Sequence, residues 1–360
     1  MSSPGEHRRT PASGSFNNQE AQGVPLSLAR MPASAAYAVF EMGMNHPGEI
    51  TPLTTLVRPH ASSPSPPVEP VHIAHFTSVE EVADAKAEIF AGLDPSGTAV
   101  LNHDNIHYER LARRAGEAGV GRIVTFGRSA GADARLIEAA ADEQGSQIEA
   151  DVLGTRLSFR VGAAGEHWQM NALCVLACAG VLGADLAVAA AALADLRPPK
   201  GRGQRTVVRL PGGSFELIDD SYNASPPSMR ASLQVLGGSR PGAGGRRIAA
   251  LGDMLELGET APALHAGLAA PVQENGIDLV FTAGSMSADL HEALPASRRG
   301  VHAANSAELA PLIVAVVRDG DVVVVKGSAG SRMRLVVEAL LALDEGRKSE
   351  QAETAAGAGK

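Results

Sequence analysis

Aromatic side chains are scarce in these 360 residues: one Trp, three Tyr and eight Phe make up 3% of the chain. Ala, Val and Leu therefore supply most of the apolar 44%. That content excludes a wholly disordered chain and suits helices packed closely on parallel sheets. Cysteine is nearly absent. Cys174 and Cys178 are the only two, which excludes a disulfide-stapled scaffold. Their spacing within NALCVLACAGVL puts both on one helical face, as small core residues. No run of about twenty apolar residues is present, so nothing spans a membrane. The opening MSSPGEHRRTPASGS lacks the apolar core of a secretion signal, and a cytoplasmic protein is the default. Positive charge is not in excess: 31 Lys and Arg against 40 Asp and Glu leave −9, which argues against a nucleic-acid-binding surface. Anionic substrates stay open, because local arginines and magnesium handle phosphate at any net charge. Also missing is a GxxGK[ST] loop. GRKS near 346 and the terminal GAGK have neither the glycine spacing nor a following helix.

What is present alternates between strand and helix patterns. Residues 1–16 read as a loose, disordered lead-in. A strand in AAYAVFEMG ends at Glu41 and is followed by the turn-rich NHPGE. Residues 78–92 start on a serine cap with two early glutamates and carry apolar residues at helical spacing. Strands at 98–102 and 122–127 flank a charged helix near 107–117. The segments QIEADVLG and TRLSFRVG alternate like exposed antiparallel strands and lead into alanine-rich helices at 166–194. LRPPKGRGQR marks a domain boundary. Beyond it, strands at 215–220, 247–253, 278–284 and 321–327 alternate with helices at 226–236, 262–275, 305–318 and 331–343. The fold class is α/β: a central parallel-sheet, ATPase-like domain (17–197, incomplete) and then a smaller Rossmann-like domain (198–345). The tail 346–360 reads as disordered.

Polar residues collect at the carboxyl ends of these strands, where such sheets bind ligands. Glu41 in FEMGMNHPGEI is placed to hold magnesium, or is a solvated carboxylate. His72 and His75, three apart, can share a helical face as metal ligands or stand as ordinary polar residues. Lys86 is a solvated helix lysine unless carbamylated, since an ammonium has no lone pair for a metal. His167 and Asn171 lie one helical turn apart. Asp219 and Asp220 close a strand, Asn223 and Ser225 favour a turn, and each has a plain reading as a cap or turn residue. KGSAGSR leads into a helix, so its backbone N–H groups and Lys326 can receive an anion.

Taken in order, FNNQ…GVPLSL, VFEMGMNHPGEI, SVEEVADAKAEIF, VLNHDN, HWQMNAL, RGQR, DDSYNASPPSM, LGDMLELG and KGSAGSRM resemble the Mur ligase family, over about residues 14–343. The likeness is to the type that adds D-alanyl-D-alanine to UDP-N-acetylmuramoyl-tripeptide. It implies an ATP- and Mg2+-dependent amide ligase acting as a monomer, with no nucleic acid partner. In such a ligase the precursor carboxylate is phosphorylated and then attacked by the dipeptide amine. By position, Glu41 and His72 resemble magnesium ligands and Lys86 the carbamylated lysine, with Lys86 and Lys326 as the catalytic pair; His75 is incidental. Asn102, Asp104, His167 and Asn171 resemble the nucleotide-facing set. Arg205 and Asp220 fall near the ATP phosphates and ribose, beside Tyr222 and Asn223. Asp253, Glu256, Lys326, Ser328 and Arg332 help to hold the dipeptide and the activated acid.

Three departures accompany the likeness. The family's uridine-binding domain and phosphate loop are not found, and the loop's place is just before residue 14, as in an N-terminally truncated ligase. HASSPSPPVEP at 60–70 stands where the family runs a buried strand, and Pro64, Pro66 and Pro67 cannot donate ladder hydrogen bonds. A short reading-frame slip would account for that segment. Ser225 stands where the pattern has asparagine. The sequence thus implies an impaired or inactive ligase; the alternatives are a non-catalytic dipeptide-binding scaffold and a ligase of the folylpolyglutamate synthetase kind.

Overall fold

The computed structural model describes residues 12–14, 20–64, 76, 78–142 and 145–344. These form two compact units. The first takes the described residues up to Ile137, with Ala150–Leu157 and Met170–Ala189; the second takes Glu138–Glu149, Ser158–Gln169 and the rest from Ala190.

The chain opens with β1 (Ala12–Gly14), α1 (Glu20–Arg30), β2 (Ala38–Phe40), α2 (Ile50–Val57) and β3 (Ala61–Ser62). There follow α3 (Val79–Ala87), β4 (Thr98–Asn102), α4 (Tyr108–Glu117) and β5 (Arg122–Gly127). β1 pairs in parallel with β2, which corrects the reading of 1–16 as wholly unstructured: Ala12, Ser13 and Gly14 carry no apolar alternation to signal a strand. β3, β4 and β5 are parallel neighbours. β3 stops at Ser62, two residues before Pro64, because proline has no N–H for the ladder. Residues 65–75, with the rest of the proline segment, His72 and His75, lie outside the described residues, as does the tail from 345.

α3 forms where its sequence says it should. Ser78 accepts from the Glu81 N–H at 3.2 Å, Glu80 and Glu81 face the helix N-terminus, and Val82, Ala83, Ala85 and Ala87 are buried. Arg110 on α4 grips Asp84 of α3 with two hydrogen bonds of 2.9 and 2.8 Å. β6 (Ala134–Asp142), β7 (Gly145–Val152) and β8 (Thr155–Val161) extend the sheet to the order β3-β4-β5-β6-β7-β8. β7 and β8 join through Leu153 (φ 53°) and Gly154 (φ 82°), the left-handed pair that a tight hairpin requires. α5 (Glu166–Val181) and α6 (Leu186–Ala192) follow. On α5, Cys174 is buried and its thiol meets Ser63 Oγ at 3.5 Å; both cysteines are free thiols.

The second unit's sheet runs β9 (Gln204–Leu210), β10 (Gly213–Asp220), α7 (Pro226–Gly238), β11 (Arg247–Gly252), α8 (Ala261–Ala266), α9 (Ala269–Glu274), β12 (Leu279–Ala283), α10 (Ser287–Ala293), β13 (Arg299–Ala303), α11 (Ser306–Val314), β14 (Val322–Lys326) and α12 (Arg334–Leu341). The strand order is β13-β12-β11-β14-β10-β9, all parallel except β9, which is antiparallel to β10. β14 is central and buried throughout, so its four valines pack on both faces, each contributing about 1.5–3 kcal/mol over an exposed position. Apolar clusters cover the two faces, one around Met229, Leu233 and Leu268, the other around Phe215, Phe281 and Val336. Three readings are corrected here. The helix expected over 262–275 breaks into α8 and α9, because Pro271 cannot donate to the carbonyl four residues back and its ring crowds that carbonyl. α10 and β13 were not foreseen, and QR of RGQR opens β9 instead of lying in a linker.

Candidate functional site

In the first unit a small pocket opens at the carboxyl ends of β4 and β5, lined by Ser63, Pro64, Asn102, Asn105, Phe126 and Asn171 among others. It brings Asn102 and Asn171 together, as the sequence grouped them, and adds Asn105, which the sequence reading did not single out. Asn102 Oδ1 accepts from the Asp104 N–H at 2.9 Å, which fixes the turn leaving β4. Asp104 itself is turned elsewhere. Its carboxylate accepts from the Arg128 N–H, the Ser129 N–H and Ser129 Oγ at 2.5, 3.1 and 2.5 Å, tying the β4 turn to the loop after β5. These bonds hold its pKa down against the opposing effect of burial, which is the largest single influence. Three buried polar atoms near this edge have no protein partner among the described residues: Ser62 Oγ, His103 Nδ1 and His107 Nε2. Orphaned polar groups on residues close in sequence to this pocket's lining, with the Asn102, Asn105 and Asn171 amides within it, are compatible with a polar ligand.

Glu41 follows β2 directly and is exposed. Lys86 is half-buried on the last turn of α3. His72, the third expected metal residue, is outside the described residues, and among those described no three His, Cys, Asp or Glu side chains gather to hold a metal. A single carboxylate completed by water and phosphate oxygens is nevertheless an ordinary magnesium shell, so Glu41 fits that ion as one ligand. Two residues past Lys86, Glu88 does something the sequence did not announce. Its carboxylate accepts from the N–H groups of Gly48, Ile50 and Thr51 and from Thr51 Oγ1, at 2.5–3.2 Å. It thereby caps α2 and fixes the NHPGEI turn from forty residues away.

The second unit gathers the other expected residues at the carboxyl ends of β10, β11 and β14. Lys326, 3% exposed, donates to Asp220 Oδ2 at 2.8 Å and to the Asn223 carbonyl at 2.9 Å. Ser232 donates to the same Asp220 oxygen at 2.8 Å. Ser328 Oγ donates to the Ala224 carbonyl at 3.3 Å and accepts from the Leu255 N–H at 2.9 Å; its own N–H donates to the Asp253 carbonyl at 3.0 Å. Segments of DDSYNA, GDMLELG and KGSAGSRM are thus stitched into one cluster. Asp253 is committed inward, its carboxylate accepting from Ser287 N–H and Oγ at 2.7 and 2.6 Å. Gly284, at φ 111°, sits so close that a Cβ there would lie 2.4 Å from that carboxylate. The residues left on the outer rim are Tyr222, Asn223, Glu256 and Arg332, all exposed. Glu256 (φ 62°) and Arg332 (φ 54°) hold left-handed backbone conformations that are costly for non-glycine residues and cluster at functional loops.

Two arginines of RGQR separate in space. Arg205 is drawn into the sheet, paired with Glu216 at 2.8 Å and Ser239 at 3.1 Å. Arg202, which the sequence reading passed over, stands over the Tyr222 ring at 4.3 Å. His167 also belongs to this unit. Its ring keeps solvent access yet is crowded by protein, and that desolvation lowers its pKa; Asp220 opposes the shift and Lys326 adds to it.

Two α/β units with polar groups gathered at the carboxyl ends of parallel strands define a class: a multi-unit α/β protein, of the architecture whose strand ends commonly serve as ligand sites. The chain belongs to the Mur ligase family. The Mur ligase middle domain matches residues 3–179, and the Mur ligase, glutamate ligase domain matches 201–329. Among curated relatives, the UDP-N-acetylmuramoyl-tripeptide–D-alanyl-D-alanine ligase of Escherichia coli is 33% identical over 91% of this chain and 70% of its own length. That of Rickettsia prowazekii is 29% identical over 90% of this chain and 70% of its own. Among solved structures, MurF from Acinetobacter baumannii matches with TM-score 0.82 and 25% identity over 93% of this chain and 71% of that one. MurF from Thermotoga maritima in complex with ADP shares the fold, with TM-score 0.77 and 24% identity over 94% of this chain and 75% of that one.

Proposed function

We propose that the chain carries the chemistry of an ATP-dependent amide ligase that joins D-alanyl-D-alanine to the terminal carboxylate of UDP-N-acetylmuramoyl-tripeptide. The observation that carries this reading is the single hydrogen-bonded cluster made from DDSYNA, GDMLELG and KGSAGSRM. Relatives 29–33% identical over about nine-tenths of this chain bear that ligase's name.

ATP, when bound, supplies the phosphoryl group that turns a poor electrophile into a good one, with Mg2+ screening its charge. This chain's residues divide the remaining work. Asn102, Asn105 and Asn171 offer amide donors and acceptors to a nucleotide in the first unit. Asp104 shapes that edge without presenting its carboxylate. Glu41, with His72 and a carbamylated Lys86, would hold magnesium. In the second unit an ammonium has three donors, and Lys326 commits two; the third is available to an anionic substrate group. Tyr222, Asn223, Glu256 and Arg332 form the rim for the dipeptide above the buried Ser328, with Arg202 as an exposed cation beside it. Asp220 holds Lys326 in place.

The 360 residues contain no GxxGK[ST] run. Removing one preorganised donor from such a site costs about 10²–10³ in rate, so this chain alone turns over far more slowly than with such a loop. The same absence favours a second reading, a dipeptide-binding module without turnover. Phosphate release from ATP with the tripeptide precursor and D-alanyl-D-alanine separates the two, run beside a version carrying the N-terminal region of the Escherichia coli relative. Product only in the graft supports the ligase reading; product in neither supports the binding module.

A further inference from the structure

His265 on α8 is 1% exposed and has no part in the chemistry above. Its two ring nitrogens have different partners. Nε2 lies 2.9 Å from the Met254 backbone nitrogen, an N–H that can only donate. Nδ1 lies 2.7 Å from the Ala261 carbonyl oxygen, which can only accept. Both bonds exist together in one state alone: a neutral ring with its proton on Nδ1 and a bare lone pair on Nε2.

The turn that this ring touches leads to the dipeptide rim. Three successive residues at the end of β11 are anchored in turn: Asp253 by its carbonyl to the Ser328 N–H, Met254 by its N–H to His265, Leu255 by its N–H to Ser328 Oγ. The next residue, Glu256, takes the left-handed conformation, and Leu257 is buried again. Two of the three anchors come from the β14 loop. Among the described residues, His265 alone accepts from the Met254 N–H, and it does so from α8, away from the β14 loop; without it that N–H would be buried with no acceptor.

We propose that His265 is a positioning residue, an Nδ1-protonated imidazole that fixes the Asp253–Leu257 turn and so orients Glu256 toward the incoming amine substrate. The proposal rests on the dipeptide reading of this rim. Two variants of the full chain test it. His265→Gln keeps an acceptor at the Nε2 position, whereas His265→Leu keeps the bulk and removes it. In the wild type, long-range proton–nitrogen correlation should show Nδ1 protonated and Nε2 bare. Losing the acceptor should raise Met254 amide exchange and the D-alanyl-D-alanine dissociation constant by about tenfold in His265→Leu, with nucleotide binding unchanged. His265→Gln should stay close to wild type in both. An Nε2–H tautomer, or equal impairment in the two variants, overturns the proposal. If His265→Leu does not fold, the tautomer and the Met254 exchange in His265→Gln decide it. Failure of the wild type to bind the dipeptide, with the tautomer as expected, overturns the reading of the rim and leaves the anchoring of the turn established.

Discussion

At the carboxyl end of β14, a buried ammonium has two of its three protons in use. Replacing Lys326 with Met leaves the Asp220 carboxylate without its cation, with Ser232 still donating to it, and the Asn223 carbonyl without its donor; unfolding in denaturant should show a loss of about 3 kcal/mol. The same substitution removes a positive neighbour from His167, so the His167 midpoint should rise. In the wild type that midpoint should lie below the ordinary 6.5 in a proton NMR titration, because crowding disfavours the imidazolium. The sign for stability follows. The unfolded chain takes up this proton first as pH falls below 6.5, so the contribution is full above that value and declines toward the folded midpoint. The two arginines should part company in the same way. Arg205→Ala loses an internal ion pair and should cost about 1–2 kcal/mol of stability. Arg202→Ala should leave stability unchanged and weaken substrate binding. Equal effects from the two would contradict their assignment.

Among the elements, α2 depends on a carboxylate from a distant turn. Glu88→Ala strips its N-terminus of four hydrogen bonds and should cost about 2 kcal/mol, with faster amide exchange at Gly48, Ile50 and Thr51. Gly284→Ala should destabilise by more than about 1 kcal/mol, since neither its φ nor the Asp253 carboxylate leaves room for a methyl group. Elements like β14 and α3 were legible in the sequence, because a buried VVVV run and a serine-capped amphipathic stretch each carry their own signal. β13 was not: RGVHA is an edge strand, buried only at Ala303. α10 is seven residues long with Ser287 and Leu290 buried, too few positions to show a period. The site shows the same division. Residue types at strand ends were readable as a group, whereas the direction in which Asp104, Asp253 or Arg205 points is decided by partners far away in sequence. Glu88 and His265 stayed hidden because their roles lie in hydrogen bonds to backbone, which leave no motif.

For the whole molecule, two sheets each end in a row of polar groups, and the proposed ligation would draw on both. The described residues include no helix long and apolar enough to cross a membrane. The claim on which the assignment turns is that the second unit's strand ends receive the dipeptide. Titrating D-alanyl-D-alanine into the nitrogen-15-labelled chain tests it directly. Amide shifts should concentrate at residues 221–224, 253–257 and 327–332, and spare the pocket around Asn102 and Asn171. Shifts confined to that pocket, or none at millimolar dipeptide, would contradict the account.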